Sequence, residues 1–133
     1  MTRKYHAVAL GLFGLLCSAA PTLAHHAFTT EFDSAQLVKV TGVLTKVEWQ
    51  NPHTFFYIDV TDPATNKVTN WALEMGSPNG LMNQGWTRNT LKVGDVVTVD
   101  GSLARSSRPL GNARSVILTS TGQRLFAASS AGQ

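Results

Sequence analysis

Hydrophobic and polar residues alternate along most of the chain after residue 36, and this pattern predicts β-strands. Apolar side chains recur at every second position, which places them on one face of an extended segment. In the first segment the alternation slips at Gly42, which predicts a bulge or bend at that glycine. We therefore predict five strands, at residues 37–49, 54–61, 68–74, 96–103 and 113–119.

One segment between these strands carries the signals of a helix. Ser77 is a suitable N-cap, Pro78 suits the first helical position, and Gly85 suits the end. A bent first strand and a helix between strands three and four are features of the OB-fold, a partly open Greek-key barrel. We therefore predict an all-β, OB-fold-like five-stranded barrel with one short helix. The alternative is another small β-barrel or a sandwich.

The first 24 residues predict an export signal. Arg3 and Lys4 precede an apolar run from Val8 to Ala20, and the small residue Ala24 follows. The run is shorter than the roughly 20 residues that a membrane-spanning helix needs. This order of charged, apolar and small residues is typical of a secretory signal peptide. We expect cleavage after Ala24 and a periplasmic or secreted protein without a membrane span.

The composition of the remaining chain limits its partners. The only cysteine, Cys17, lies in the predicted signal, so the mature chain would have no disulfide and no thiolate metal ligand. The mature chain would then have nine Lys and Arg and eight Asp and Glu. This near-zero net charge does not indicate nucleic acid as a partner. The expected organisation is a signal peptide at 1–24, a lead-in segment at 25–36, the β domain at 37–126 and a flexible tail at 127–133.

Three histidines of the mature chain predict a metal site. Cleavage after Ala24 would give His25 a free α-amine, which can chelate a metal together with its own imidazole. A second imidazole, from His53 or His26, would complete a three-nitrogen site. Such sites suit copper(II), and zinc is the competing metal.

Carboxylates could complete this site, either as ligands or as acceptors for an imidazole N–H. Glu74 is included in the predicted metal set with the three histidines. The other candidate carboxylates are Glu31, Asp33 and Glu48.

A second surface predicts a different function. Phe55 and Tyr57 lie on the outer face of the second predicted strand, where aromatic rings could stack on a ligand. Arg105, Arg108 and Arg114 surround the loop between strands four and five. The alternative function is therefore a non-metal ligand-binding or protein-interaction module. The chain has no cysteine nucleophile, glycine-rich phosphate loop or recognisable triad pattern, so we expect a protein that is not an enzyme.

Two motifs carry a family resemblance, and both lie in the mature chain. They are His25-His26-Ala27-Phe28 and Trp49-Gln50-Asn51-Pro52-His53, with further matches at residues 31–33, at Glu74, at Ser77-Pro78 and at residues 91–101. On these residues the chain resembles a group of small exported bacterial proteins classed as a domain of unknown function. The resemblance implies an exported OB-like domain and brings no established activity.

Overall fold

The computed structural model describes residues 27–128, and most of them lie in β-strands. All five predicted strands and the predicted helix are present, while a first short helix and a sixth short strand were not predicted. In chain order the elements are α1 (residues 27–31), β1 (Phe32–Glu48), β2 (Phe55–Thr61), β3 (Val68–Glu74), α2 (Pro78–Asn83), β4 (Val96–Ala104), β5 (Leu110–Leu118) and β6 (Arg124–Phe126).

Strand pairing closes the first five strands into a ring. The long strand β1 pairs antiparallel with β2 on one side and with β4 on the other. β3 pairs antiparallel with β2, and β5 pairs antiparallel with β4. A short parallel pairing between β3 and β5, from Ala72 to Glu74 on one strand and from Leu110 to Asn112 on the other, completes the ring. β6 extends the sheet from β5.

The alternating residues of the strands fill the inside of this ring. Helix α2 adds Leu81 to the same core, and its start is as predicted, since the Ser77 hydroxyl accepts the Gly80 N–H and Pro78 occupies the first turn. Trp86 follows the helix and donates its ring N–H to the Phe126 carbonyl at 2.7 Å. The main core side chains from the strands are Leu44, Phe56, Ile58, Leu73, Val97, Val99 and Val116.

The packed chain extends beyond the predicted strands at three places. Residues 32–36, predicted as an irregular lead-in, belong to β1. β5 begins at Leu110 instead of Ala113, because residues 110–112 pair with the end of β3. After β6, Ala127 is buried and bonded through its carbonyl to the Gly76 N–H at 2.8 Å. Ala127 and Ala128, predicted as the start of the tail, are therefore part of the packed domain.

The bulge or bend in β1 was predicted at the wrong residue, Gly42. The register with β2 shifts between Leu44 and Lys46. Gly42 remains in regular register with Val97. A Cβ atom at Gly42 would lie 2.5 Å from the carbonyl oxygen of Asp59. The glycine is thus required for close approach of two strands, and not for a bulge.

Replacing Gly42 by alanine is expected to lower the free energy of unfolding by about 1–3 kcal/mol, because the new Cβ overlaps backbone that belongs to the sheet. Urea denaturation of the purified domain measures this change in the free energy of unfolding. Gly80→Ala is the matched control, since its Cβ would meet no backbone of another element, only the Ser77 hydroxyl at 3.2 Å, and alanine favours a helix. Equal midpoints for Gly42→Ala and the wild type would contradict the steric explanation.

Candidate functional site

His53 and Glu74 form a contact on the outside of the ring. Glu74 is the last residue of β3 and pairs with Phe55 at the start of β2. His53 lies two residues before Phe55, in the turn that contains the cis Asn51–Pro52 peptide bond. Its Nδ1 lies 2.9 Å from Oε1 of Glu74. The register of β2 and β3 therefore brings together two of the residues predicted for the metal site.

The two partners differ in their exposure to solvent. The Glu74 side chain is 8% exposed, whereas the His53 side chain is 42% exposed. Burial first, and the nearby negative charge of Glu31 second, raise the pKa of Glu74 to about 7. A weak hydrogen bond of 3.4 Å from the Asn112 amide opposes this rise. Glu74 can consequently exchange a proton near neutral pH.

The N-terminal helix covers the sheet beside this pair. Phe32, at the start of β1, is 2% exposed and packs with Ala104 and Leu110. Phe28 of α1 and Phe55 of β2 pack against this second cluster, and the Phe28 and Phe32 rings lie 5.5 Å apart. Phe55, predicted as a possible ligand contact, is therefore covered in part by the chain's own N-terminal segment.

Arg105, which directly follows β4, binds the N-terminal segment formed by α1 and the start of β1. Its side-chain Nε donates to the Thr29 carbonyl at 2.9 Å, and its backbone N–H donates to the Glu31 carbonyl at 2.9 Å. Its guanidinium also lies 3.4 Å from the Asp33 carboxylate. Arg105, predicted as part of a basic ligand surface, serves here to hold α1 and the start of β1.

The structure places the predicted metal residues as follows. His53 and Glu74 are in contact, while His25 and His26 lie outside the described residues. Within residues 27–128, no three His, Cys, Asp or Glu side chains form a group that could hold a metal ion. In that same range nothing is hydrogen-bonded to Nε2 of His53. The histidine thus presents one ring nitrogen while a buried carboxyl group fixes the other.

The residues predicted for the alternative ligand surface separate into different places. Tyr57 and Arg108 line one cavity of about 230 Å³. Arg114 lines another cavity of about 380 Å³. Phe55 packs against the N-terminal segment, and Arg105 binds it. Tyr57 and Arg108 thus share a cavity, and Arg114 lies at a different one.

Sequence reasoning missed Asn112. It is buried, and the parallel pairing of β3 with β5 places it directly beside Glu74. The flanking Pro109 and Gly111 had predicted a loop there. No local signal in the sequence indicates this pairing, because it joins segments almost 40 residues apart.

Together the fold and the site define a small β-rich domain with a histidine–glutamate pair beside its N-terminal helix. The chain belongs to the family of unknown function DUF6152, whose profile matches residues 12–113. The match includes both members of the pair. Among curated proteins, none is similar enough to match the chain. In the part of the chain that the structure describes, no helix is long and apolar enough to cross a membrane.

Proposed function

We propose that this protein binds copper(II) outside the cytoplasm, through the α-amine and imidazole of His25 together with Nε2 of His53. His26 is a further nitrogen ligand in this proposal, and zinc is the competing metal. The observation that carries it is the 2.9 Å contact between His53 Nδ1 and Glu74. Histidines that bind metals almost always donate their second ring N–H to a carboxylate, a carbonyl or a water.

Glu74 has a supporting role in this site. Its carboxylate accepts the imidazole N–H, which fixes the ring orientation and increases the basicity of Nε2 toward a metal. Because Glu74 is 8% exposed and bonded to both His53 and Asn112, it is better placed to orient the histidine than to bind the metal itself. Of the two roles expected for a carboxylate, the structure therefore favours the acceptor.

The proposal requires the N-terminal histidines to reach His53. Phe28 and Phe55 both pack against the second cluster, which supports this. His26 precedes Phe28 by two residues, and His53 precedes Phe55 by two residues. Two residues span at most about 7 Å. The proposal therefore brings both imidazoles to the second cluster, each by a chain segment of this length.

Export is part of the proposal because the metal site requires it. Only cleavage after Ala24 makes the His25 amine available. The charged, apolar and small-residue pattern of residues 1–24 supports cleavage there. Without cysteine in the mature chain, nitrogen donors would be the ligands, and a role in copper carriage or buffering in the periplasm follows.

We also assign the ring of strands to the OB-fold within this proposal. The pairing order β1-β2-β3-β5-β4 and the position of α2 between β3 and β4 support it. OB-folds bind their ligands on the face of strands two and three and on the adjoining loops. His53 and Glu74 lie at one end of that face.

Copper titration of residues 25–133, produced with His25 as the first residue and freed of metal by a chelator, tests the proposal. We expect one bound copper(II) with nitrogen hyperfine structure in the EPR spectrum. His53→Ala should weaken binding at least about tenfold, because a ligand is lost. Glu74→Gln should weaken it by about 10–100-fold, as expected for a partner that orients a ligand.

Two controls make the result specific. Glu48→Gln removes a carboxylate that contacts Lys46 and Tyr57 instead of His53, and should leave copper affinity unchanged. An additional alanine before His25 should abolish the amine chelate. Unchanged affinity in His53→Ala, or equal binding with and without the additional alanine, would overturn the proposed site.

A further inference from the structure

We propose that the cavity lined by Tyr57, Asn70 and Arg108 binds an acidic sugar, namely a single uronic acid ring. It lies between the outer face of β2 and β3 and the loop that connects β4 to β5, and its volume is about 230 Å³. This is smaller than the roughly 300–1,000 Å³ of sites for drug-sized molecules, so it fits one ring. The inference is independent of copper binding. The other residues of its lining are Ala72, Pro109 and Leu110.

Arg108 supplies an available positive charge at this cavity. Its side chain is exposed and makes no ion pair or hydrogen bond with the described part of the chain. The loop that carries it is fixed, because the Pro109 carbonyl accepts the Ala72 N–H at 3.0 Å and the Arg108 carbonyl accepts the Leu110 N–H at 2.8 Å. The backbone of Arg108 is thus fixed, and its free guanidinium can bind a carboxylate through two parallel hydrogen bonds.

Tyr57 supplies an aromatic wall that is held in place before any ligand binds. Its hydroxyl donates to Glu48 at 2.8 Å, and the Lys46 ammonium lies 5.2 Å from the ring centre while also pairing with Glu48. The hydrogen bond to Glu48 raises the pKa of Tyr57, so the phenol stays neutral. A fixed ring loses little conformational entropy on binding, which favours packing against the apolar face of a sugar.

Asn70 supplies an acceptor for a hydroxyl group. Its amide nitrogen donates to Asp59 at 2.7 Å and to Thr45 at 3.3 Å. These two bonds fix the orientation of the amide and leave Oδ1 without a hydrogen-bond partner among residues 27–128. The cavity thus combines a cation for a carboxylate, an apolar wall and a hydroxyl acceptor. A uronic acid carries all three matching features, whereas a neutral sugar lacks the carboxylate and acetate lacks the ring.

The second cavity lacks this combination and provides a control. It has a volume of about 380 Å³ and carries Arg114 and Lys39, but no aromatic side chain. Its carboxylate, Asp100, lies 3.7 Å from the Arg124 guanidinium. General attraction of anions to exposed arginine would affect both cavities, whereas recognition of an acidic sugar would affect only the first.

NMR titration of metal-free residues 25–133 with glucuronate, glucose and acetate tests the inference. We expect glucuronate to shift the amide signals of Tyr57, Asn70 and Ala72. Arg108→Ala should weaken glucuronate binding by about tenfold or more, because a charge-assisted pair is lost. Arg114→Ala should leave it unchanged. Glucose and acetate should each bind at least about tenfold more weakly than glucuronate.

Three results would overturn the inference. They are the absence of shifts with glucuronate, equal affinity for glucose, and equal affinity of Arg108→Ala and the wild type. The presence of a chelator keeps this result separate from copper binding, which can fail or succeed without affecting it.

Discussion

Raising the pH from about 5 to about 8 is expected to lower the free energy of unfolding by about 2 kcal/mol through Glu74 alone. The pKa of this carboxyl rises from 4.5 to about 7 in the folded protein, mainly because it is buried. Between these two values the folded state retains a proton that the unfolded state has released. The contribution is therefore fully present below the unfolded pKa and is lost as the pH rises through the folded pKa. The full shift corresponds to about 3 kcal/mol, and partial contact with solvent reduces it.

Urea denaturation at a series of pH values, with the wild type and Glu74→Gln, measures this contribution. Glutamine resembles the protonated carboxyl group, so the variant should lose this part of the pH dependence and become the more stable protein at pH 8. Glu48→Gln is the control, because Glu48 lies at the surface beside Lys46. If the free energy of unfolding falls with pH as steeply in Glu74→Gln as in the wild type, the pH dependence does not come from Glu74.

Phe32→Ala is expected to lower the free energy of unfolding by about 3–5 kcal/mol. The ring is 2% exposed and fills the second cluster together with Phe28 and Leu110. Its removal leaves a cavity between the N-terminal segment and the sheet, and the segment loses its main apolar contact. Phe126→Ala is the matched control. Phe126 is 65% exposed, so its replacement should change the free energy of unfolding little.

Thermal and urea unfolding of both variants test this difference. Because α1 covers the sheet beside Glu74, Phe32→Ala should also expose that carboxyl and reduce the pH dependence described above. Equal destabilisation by the two phenylalanine variants would show that the second cluster contributes little to stability. Unchanged pH dependence in Phe32→Ala would show that α1 does not determine the burial of Glu74.

The sequence by itself determined where the strands and the helix α2 form. Apolar residues alternate because an extended chain repeats every two residues, so this pattern identified all five main strands and the outward position of Phe55 and Tyr57 in β2. The helix start at Ser77 and Pro78 depends equally on local backbone chemistry. His53 was identified from residue type, as one of the three histidines of the predicted mature chain. Such features need no knowledge of distant segments.

Only the tertiary structure decided which of these residues meet. The contact of Glu74 with His53 follows from the register of β2 and β3, and its contact with Asn112 follows from the pairing of β3 with β5, which is distant in the sequence. The same holds for the position of Arg105 on the N-terminal segment and of Arg108 beside Tyr57. A two-residue change of register would separate these groups and still keep each side chain on its own face, so the alternating pattern alone does not determine the register. The burial that raises the pKa of Glu74 likewise exists only in the folded chain, because desolvation depends on the whole surroundings of a group and not on its neighbours in the sequence.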